Sequence, residues 1–318
     1  MRADLNPNLP AVPRLLPATR LAAAASLALG ALFAATAPAH AQVAGDTIAK
    51  VKQSGTFTIA YRESSIPFSY LDGTAKPTGM GWEICNMIAD KLKTLTGRSD
   101  LKVVGQSVTS ANRVPLVQNG TVDIECGSTT NNSERGKQVQ FATNYFYTGT
   151  RFLVKADSGI KGLADLKGKN VVITAGTTNM LVMRRVNQEQ DLGINITSAK
   201  DHAEAALLVQ SGRADAFAMD DILLYGLKAS ARNPAELAVV GDAIQVEPYA
   251  FMMRRDDPAF KKLVDDTLAE LAKSGQFEKL YTKWFLSPIP PNNMNLNAPM
   301  SDELSLIHIS EPTRLRRI

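Results

Sequence analysis

The chain has 318 residues, with 35 Lys+Arg against 31 Asp+Glu, a net charge of +4, three histidines and two cysteines. Six of the basic residues sit at the ends (Arg2, Arg14, Arg20, Arg314, Arg316 and Arg317), and residues 42–303 carry twenty-nine charges of each sign. A neutral body without a lysine or arginine run excludes a nucleic-acid backbone binder, whose affinity needs clustered cations.

From the N-terminus, a cationic stretch ending at Arg20 is followed by an apolar run, Leu21 to Ala35, and by Ala39-His40-Ala41 ahead of Gln42. This is the layout of a secretory signal peptide (residues 1–41), and the run is too short to cross a bilayer. The mature chain is expected to begin at Gln42 and to be exported. Its body, residues 42–303, is long enough for one large domain or two lobes of ordinary size.

Within the body, Thr56–Tyr61 alternates as a strand does, and Gly81–Lys93 places Ile84, Met87, Ile88 and Leu92 on one helical face ahead of Gly97. Lys102–Val108 predicts a strand, Arg113–Gln118 a short helix and Val122–Glu125 a strand. Tyr145–Lys155 is a long apolar run, and further strands are expected at Asn170–Thr174, Ala216–Met219 and Ala238–Val240. Asp257-Pro258 supplies an N-cap and an N1 proline to a helix with Phe260, Leu263, Val264, Leu268 and Leu271 at helical spacing before Gly275. Strand and helix in alternation predict an α/β fold with a largely parallel sheet. Residues 304–318 are expected to be a non-native, adaptor-derived tail. Cys85 and Cys126 sit in a chain bound for an oxidising compartment; whether they pair depends on a Cα separation the sequence does not give.

One local pattern occurs twice. Val122–Glu125 runs into Cys-Gly-Ser-Thr-Thr-Asn-Asn132, and Val171–Thr174 runs into Ala-Gly-Thr-Thr-Asn179, each leading toward a helix. Such turns offer hydroxyls and helix-start N–H groups to an anion, although helix capping alone would use the same residues.

No catalytic centre, metal site or cofactor is expected. The body has one histidine, His202, and no zinc-ligand spacing, phosphate loop, GxSxG or GxGxxG. The acid pairs Asp220-Asp221, Asp256-Asp257 and Asp265-Asp266 read as caps and solvated faces, because adjacent helical residues do not face one another. More telling are three arginines beside hydroxyl-rich turns. Arg62 precedes Glu63-Ser64-Ser65; Arg113 follows Ser107, Thr109, Ser110 and Asn112; Arg135 follows Ser128. A guanidinium matches a carboxylate with two parallel hydrogen bonds, so three of them point to a small ligand with more than one carboxylate.

Arg62-Glu-Ser-Ser-Ile-Pro-Phe-Ser-Tyr70, Asn112-Arg-Val-Pro-Leu-Val-Gln-Asn-Gly120, Glu125-Cys-Gly-Ser-Thr-Thr-Asn-Asn-Ser-Glu-Arg135, Ser198-Ala-Lys-Asp-His202 and Met219-Asp-Asp221 closely resemble the periplasmic glutamate/aspartate-binding proteins of bacterial amino-acid ABC importers (solute-binding protein family 3). The resemblance covers residues 45–303. It implies a two-lobed type 2 periplasmic-binding-protein fold with crossovers near Thr148–Arg151 and Ile244–Tyr249 and a ligand cleft between the lobes. The first lobe would span 42–147, the second 148–246, and 247–303 would return to the first. It also implies that Arg135, Ser128, Thr130 and Thr178 hold an α-carboxylate, that Arg62, Ser110, Arg113 and His202 hold a side-chain carboxylate, and that Asp220 takes the α-ammonium. His202 could otherwise be a solvated loop histidine; Trp82 and Trp284 read as packing. The function implied is capture of L-glutamate or L-aspartate by hinge closure in the periplasm, as a monomer, and delivery to an inner-membrane permease. Two rivals are a ligand sensor for a signalling receptor and a dehydratase-type enzyme, for which Glu63 is the candidate acid.

Overall fold

Alternation along Thr56–Tyr61 sends Phe57 and Ile59 to one face of a sheet and Ala60 to the other, and helices or loops cover both faces. In the computed structural model, which describes residues 46–300, this strand is the second of five in the order Lys102–Ser107, Thr56–Tyr61, Ile124–Glu125, Met252–Met253, Gln140–Phe141. The expected leader with its cleavage point, and the expected tail, lie outside the described residues.

The first three strands are parallel, whereas Met252–Met253 is antiparallel to both neighbours. A second sheet runs Asn195–Ala199, Asn170–Thr174, Ala216–Asp220, Phe146–Lys155, Leu237–Val240. Its first three strands are again parallel, but the ten-residue strand Phe146–Lys155 pairs antiparallel with Ala216–Asp220, Leu237–Val240 and Val246–Tyr249. The expectation of a largely parallel sheet is therefore corrected: each sheet has a parallel core extended by antiparallel strands. The chain passes into the second sheet along Phe146–Lys155 and comes back beside it along Val246–Tyr249 to Met252–Met253, and these are the strands that run against the parallel ones. Two lobes result, one around each sheet.

The two stretches expected as crossovers lie side by side, with Thr148 opposite Glu247, Gly149 opposite Val246 and Thr150 N donating to Gln245 O at 3.1 Å. Val122–Glu125 shortens to Ile124–Glu125 because Val122 N bonds to Leu116 O, closing the helix Arg113–Gln118.

Two helices fix the first lobe. Met80–Thr96 buries Met80, Ile84, Cys85, Ile88 and Leu92, each worth about 1.5–3 kcal/mol for the larger side chains, and stops at Gly97 in the left-handed region (φ 68°). Cys85 of this helix is bonded to Cys126, Cα–Cα 6.2 Å, which pins the turn after Ile124–Glu125 to the helix. In Pro258–Lys273, Asp257 Oδ1 accepts from Phe260 N at 3.1 Å while its Oδ2 accepts from Thr47 N at 2.8 Å, so one buried carboxylate caps two helices. Trp284 is buried and donates Nε1–H to Glu83 Oε2 at 2.8 Å; Trp82 packs edge-on against Tyr61.

Candidate functional site

The loops at the carboxyl ends of the parallel strands in the two sheets meet through hydrogen bonds, and they carry the polar residues singled out in the sequence. Arg62 directly follows Thr56–Tyr61, and its N–H donates to Ser69 Oγ at 2.9 Å. The guanidinium is buried: Nη2 donates to Ser110 Oγ at 2.8 Å and to His202 Nε2 at 3.3 Å. Because arginine has no lone pair to offer, Nε2 is the acceptor; the ring proton then lies on Nδ1, which donates to Thr174 Oγ1 at 2.8 Å. His202 is thus a buried residue at the start of the helix His202–Gln210, and the solvated-loop reading is corrected.

Arg113 opens the helix Arg113–Gln118, points inward, donates from Nη1 to Ser128 O at 3.4 Å, and lies 3.9 Å from Glu125 Oε1. Arg135, on the single turn Ser133–Gly136, donates to Thr130 O at 2.9 Å and reaches the second lobe at Gly176 O, 3.2 Å away. Ser128 Oγ donates to Ser65 Oγ at 3.2 Å. Thr178, on the first turn of Thr178–Glu189, gives its proton to Glu247 Oε2 at 2.8 Å, which leaves its oxygen to accept from Thr130 Oγ1 at 3.3 Å across the lobes. Asp220 ends the strand Ala216–Asp220, is buried, and accepts from Asn179 Nδ2 at 2.7 Å and from the Tyr249 hydroxyl.

All nine residues singled out, Arg62, Ser110, Arg113, Ser128, Thr130, Arg135, Thr178, His202 and Asp220, therefore lie along facing walls of the two lobes. Among the described residues, Nε and Nη1 of Arg62 and Nε of Arg113 are buried donors without a hydrogen-bond partner. Buried donors are normally satisfied, so these aim at an acceptor the protein itself does not supply. No His, Cys, Asp and Glu grouping fit for a metal ion occurs among the described residues, and no described helix is long and apolar enough to cross a membrane.

The electrostatics follow from burial. Desolvation, reinforced by Arg113, pulls the Arg62 guanidinium down to about 9, and the same two causes bring Arg135 to about 10. Both stay cationic at neutral pH. Burial also lowers Arg113, against the pull of Glu125. Burial, then Arg62 and Arg113, hold His202 well below its usual range, so it is neutral. Burial and the neighbouring Glu247 raise Asp220 to about 7, opposed by its hydrogen bonds from Tyr249 and Asn179.

Sequence reasoning assigned no role to several groups that complete the cluster: Glu125, Glu247, Tyr249, Asn179, Thr174 and Ser65. Glu125 is fully buried, accepts from Thr129 Oγ1 at 2.5 Å and offsets all three arginines; a Cβ on Gly127 would lie 2.4 Å from its Oε1. Its position one residue ahead of Cys-Gly-Ser-Thr-Thr was the available signal. Glu63, the acid named for an enzymatic alternative, is exposed and accepts from Ser107 Oγ.

The profile of bacterial extracellular solute-binding proteins, family 3, matches residues 57–287. The chain is 48% identical over 294 residues to an L-glutamate/L-aspartate-binding protein of Pseudomonas aeruginosa, covering 91% of this chain and 97% of that protein. It is 46% identical over 290 residues to the glutamate/aspartate import solute-binding protein of Escherichia coli, covering 91% and 96%. Among solved structures, a mutant of ArgBP from T. maritima superposes with a TM-score of 0.67 at 26% identity, covering 74% of this chain and 98% of that one.

Proposed function

The chain belongs to the bacterial extracellular solute-binding proteins of family 3, and from that premise we propose that it captures L-glutamate and L-aspartate in the periplasm and delivers them to an ABC permease in the inner membrane. The observation that carries this reading is the set of three inward-facing arginines, two with unpartnered buried donors, opposite Asp220. Three cations suit a ligand with two carboxylates, and Asp220 suits its ammonium. Arg62, Ser110, Arg113 and His202 take the side-chain carboxylate; Arg135, Ser128, Thr130 and Thr178 take the α-carboxylate. Residues 42–147 and 247–303 form the first lobe and 148–246 the second, with the paired crossovers as hinge. The protein acts as an exported monomer after loss of residues 1–41.

Closure around the ligand excludes water, which strengthens each arginine–carboxylate bond. A glutamine side chain would leave a buried guanidinium unpaired, at a cost of about 3–5 kcal/mol. Glutamate and aspartate, one methylene apart, would be separated only weakly. The relatives' names describe binding and import, which supports this reading over an enzymatic one.

Thermal unfolding with added ligand tests the reading. L-glutamate at about 1,000 times its Kd should stabilise the fold by about 4 kcal/mol. An unfolding midpoint unmoved by millimolar L-glutamate and L-aspartate would overturn it.

A further inference from the structure

The helix Asp221–Ser230 in the second lobe carries a buried glycine, Gly226, in its interior. Glycine there weakens a helix about fivefold relative to alanine, so the position calls for a reason other than helix formation. The reason is on the other lobe. A Cβ built on Gly226 would lie 2.7 Å from Ile66 O, 2.8 Å from Ile66 Cβ and 2.9 Å from Ile66 Cγ2.

Ile66 sits between Ser64–Ser65 and Ser69–Leu71 of the first lobe, four residues after Arg62, and packs in a hydrophobic cluster that includes Leu223, Leu224 and Leu227 of the second. Beside it, Ala203 N donates to Ser64 Oγ at 3.3 Å, a further contact between lobes. A second close approach lies at the other side of Arg62. A Cβ on Gly176 would fall 2.6 Å from Ala111 Cα and 2.8 Å from Ser110 C, and Ser110 is the residue that holds Arg62 Nη2. Gly176 also has φ +78°, so its glycine answers to backbone conformation as well as to space. Gly226 is helical, and only the space against Ile66 explains it.

We propose that Gly226 is an affinity-determining position that never touches the ligand: its missing side chain seats Ile66 and so sets how closely the two lobes shut over Arg62, Ser110 and His202. The proposal rests on the reading that the lobes close on an acidic amino acid. Carbon atoms pack at about 3.5–4.0 Å, so an alanine at 226 holds Ile66 off by about 0.7–1 Å. That displacement falls on the segment that carries Arg62.

The test is Gly226→Ala in the full chain, with L-glutamate as probe. Calorimetry should give a Kd about 10- to 100-fold weaker than wild type, the size of an overpacked contact. Stopped-flow binding should place the loss in a faster koff with kon little changed. The ligand-free thermal midpoint should stay or rise, because alanine favours the helix once the lobes are apart. Ile66→Ala removes Cγ2 from the same contact, so adding it to Gly226→Ala should cost less than the product of the two single effects. A Gly226→Ala protein that binds within twofold of wild type overturns the proposal. So does a lowered ligand-free midpoint, which would make Gly226 a residue of the fold, and so do independent effects in the double variant. A wild type that fails to bind L-glutamate overturns the functional reading and this proposal with it; a wild type that binds beside an equally competent variant overturns this proposal alone.

Discussion

Acidification should loosen ligand binding through Asp220, whose carboxyl is raised to about 7 by burial and by Glu247. A ligand ammonium pairs with the ionised form, so below pH 7 binding must expel a proton. Each pH unit then costs about 1.4 kcal/mol, or about tenfold in affinity, and L-glutamate should bind about 100-fold more weakly at pH 5 than above pH 8. His202, held well below its usual range, stays neutral through this window, while Arg62 and Arg135 stay charged at about 9 and 10. One group therefore sets the slope. Calorimetry at pH 5, 6, 7 and 8, in two buffers of different ionisation enthalpy, should find close to one proton released per ligand at pH 5–6 and none at pH 8. The ligand-free fold responds in the opposite sense: its folded pKa lies above the ordinary 3.8, so the contribution of Asp220 is most favourable below pH 4 and is lost, by up to about 4 kcal/mol, as pH rises through 7. Asp220→Asn should abolish both slopes. A Kd constant from pH 5 to 8 without proton release would refute the reasoning.

Arg113→Met should weaken L-glutamate binding about 100- to 1,000-fold, on the order of 3–4 kcal/mol, with little loss of ligand-free stability; calorimetry with unchanged affinity contradicts the assignment. Reduction of Cys85–Cys126, which are separated by 41 residues, should lower the unfolding free energy by about 4 kcal/mol in a chain-entropy treatment, and a urea-midpoint shift worth less than about 1 kcal/mol would speak against it. Asp257→Ala uncaps Pro258–Lys273 and frees the buried Thr47 N–H, so urea denaturation should register a loss of about 2–3 kcal/mol; an unmoved midpoint would deny the double-cap role.

Where structure follows from local pattern, the sequence was enough to read it. Thr56–Tyr61, Arg113–Gln118 and Asn170–Thr174 form at the expected residues because alternation, turn residues and strand formers act within a few positions. Asp257 caps as its neighbours predict. The antiparallel half of each sheet was not legible, since periodicity carries no strand direction. The nine candidate residues were marked by arginines beside hydroxyls and by runs that resemble a known family. The groups that complete the cleft carry no such mark. Glu247 matters through Thr178, 69 residues away, and Tyr249 through Asp220; Gly226 matters through Ile66, a contact that only lobe packing creates. Glu125 and Asp220 are acids like many others until burial beside charge sets them apart.

The most direct measurement is calorimetric titration of the wild-type chain at pH 7.5 with L-glutamate, L-aspartate and L-glutamine. Three inward-facing arginines, Arg62 and Arg113 of them buried, opposite one carboxylate predict that both acidic amino acids bind and that glutamine binds at least about 100-fold more weakly than glutamate. Glutamine binding as tightly as glutamate, or no heat with either acid, would contradict it.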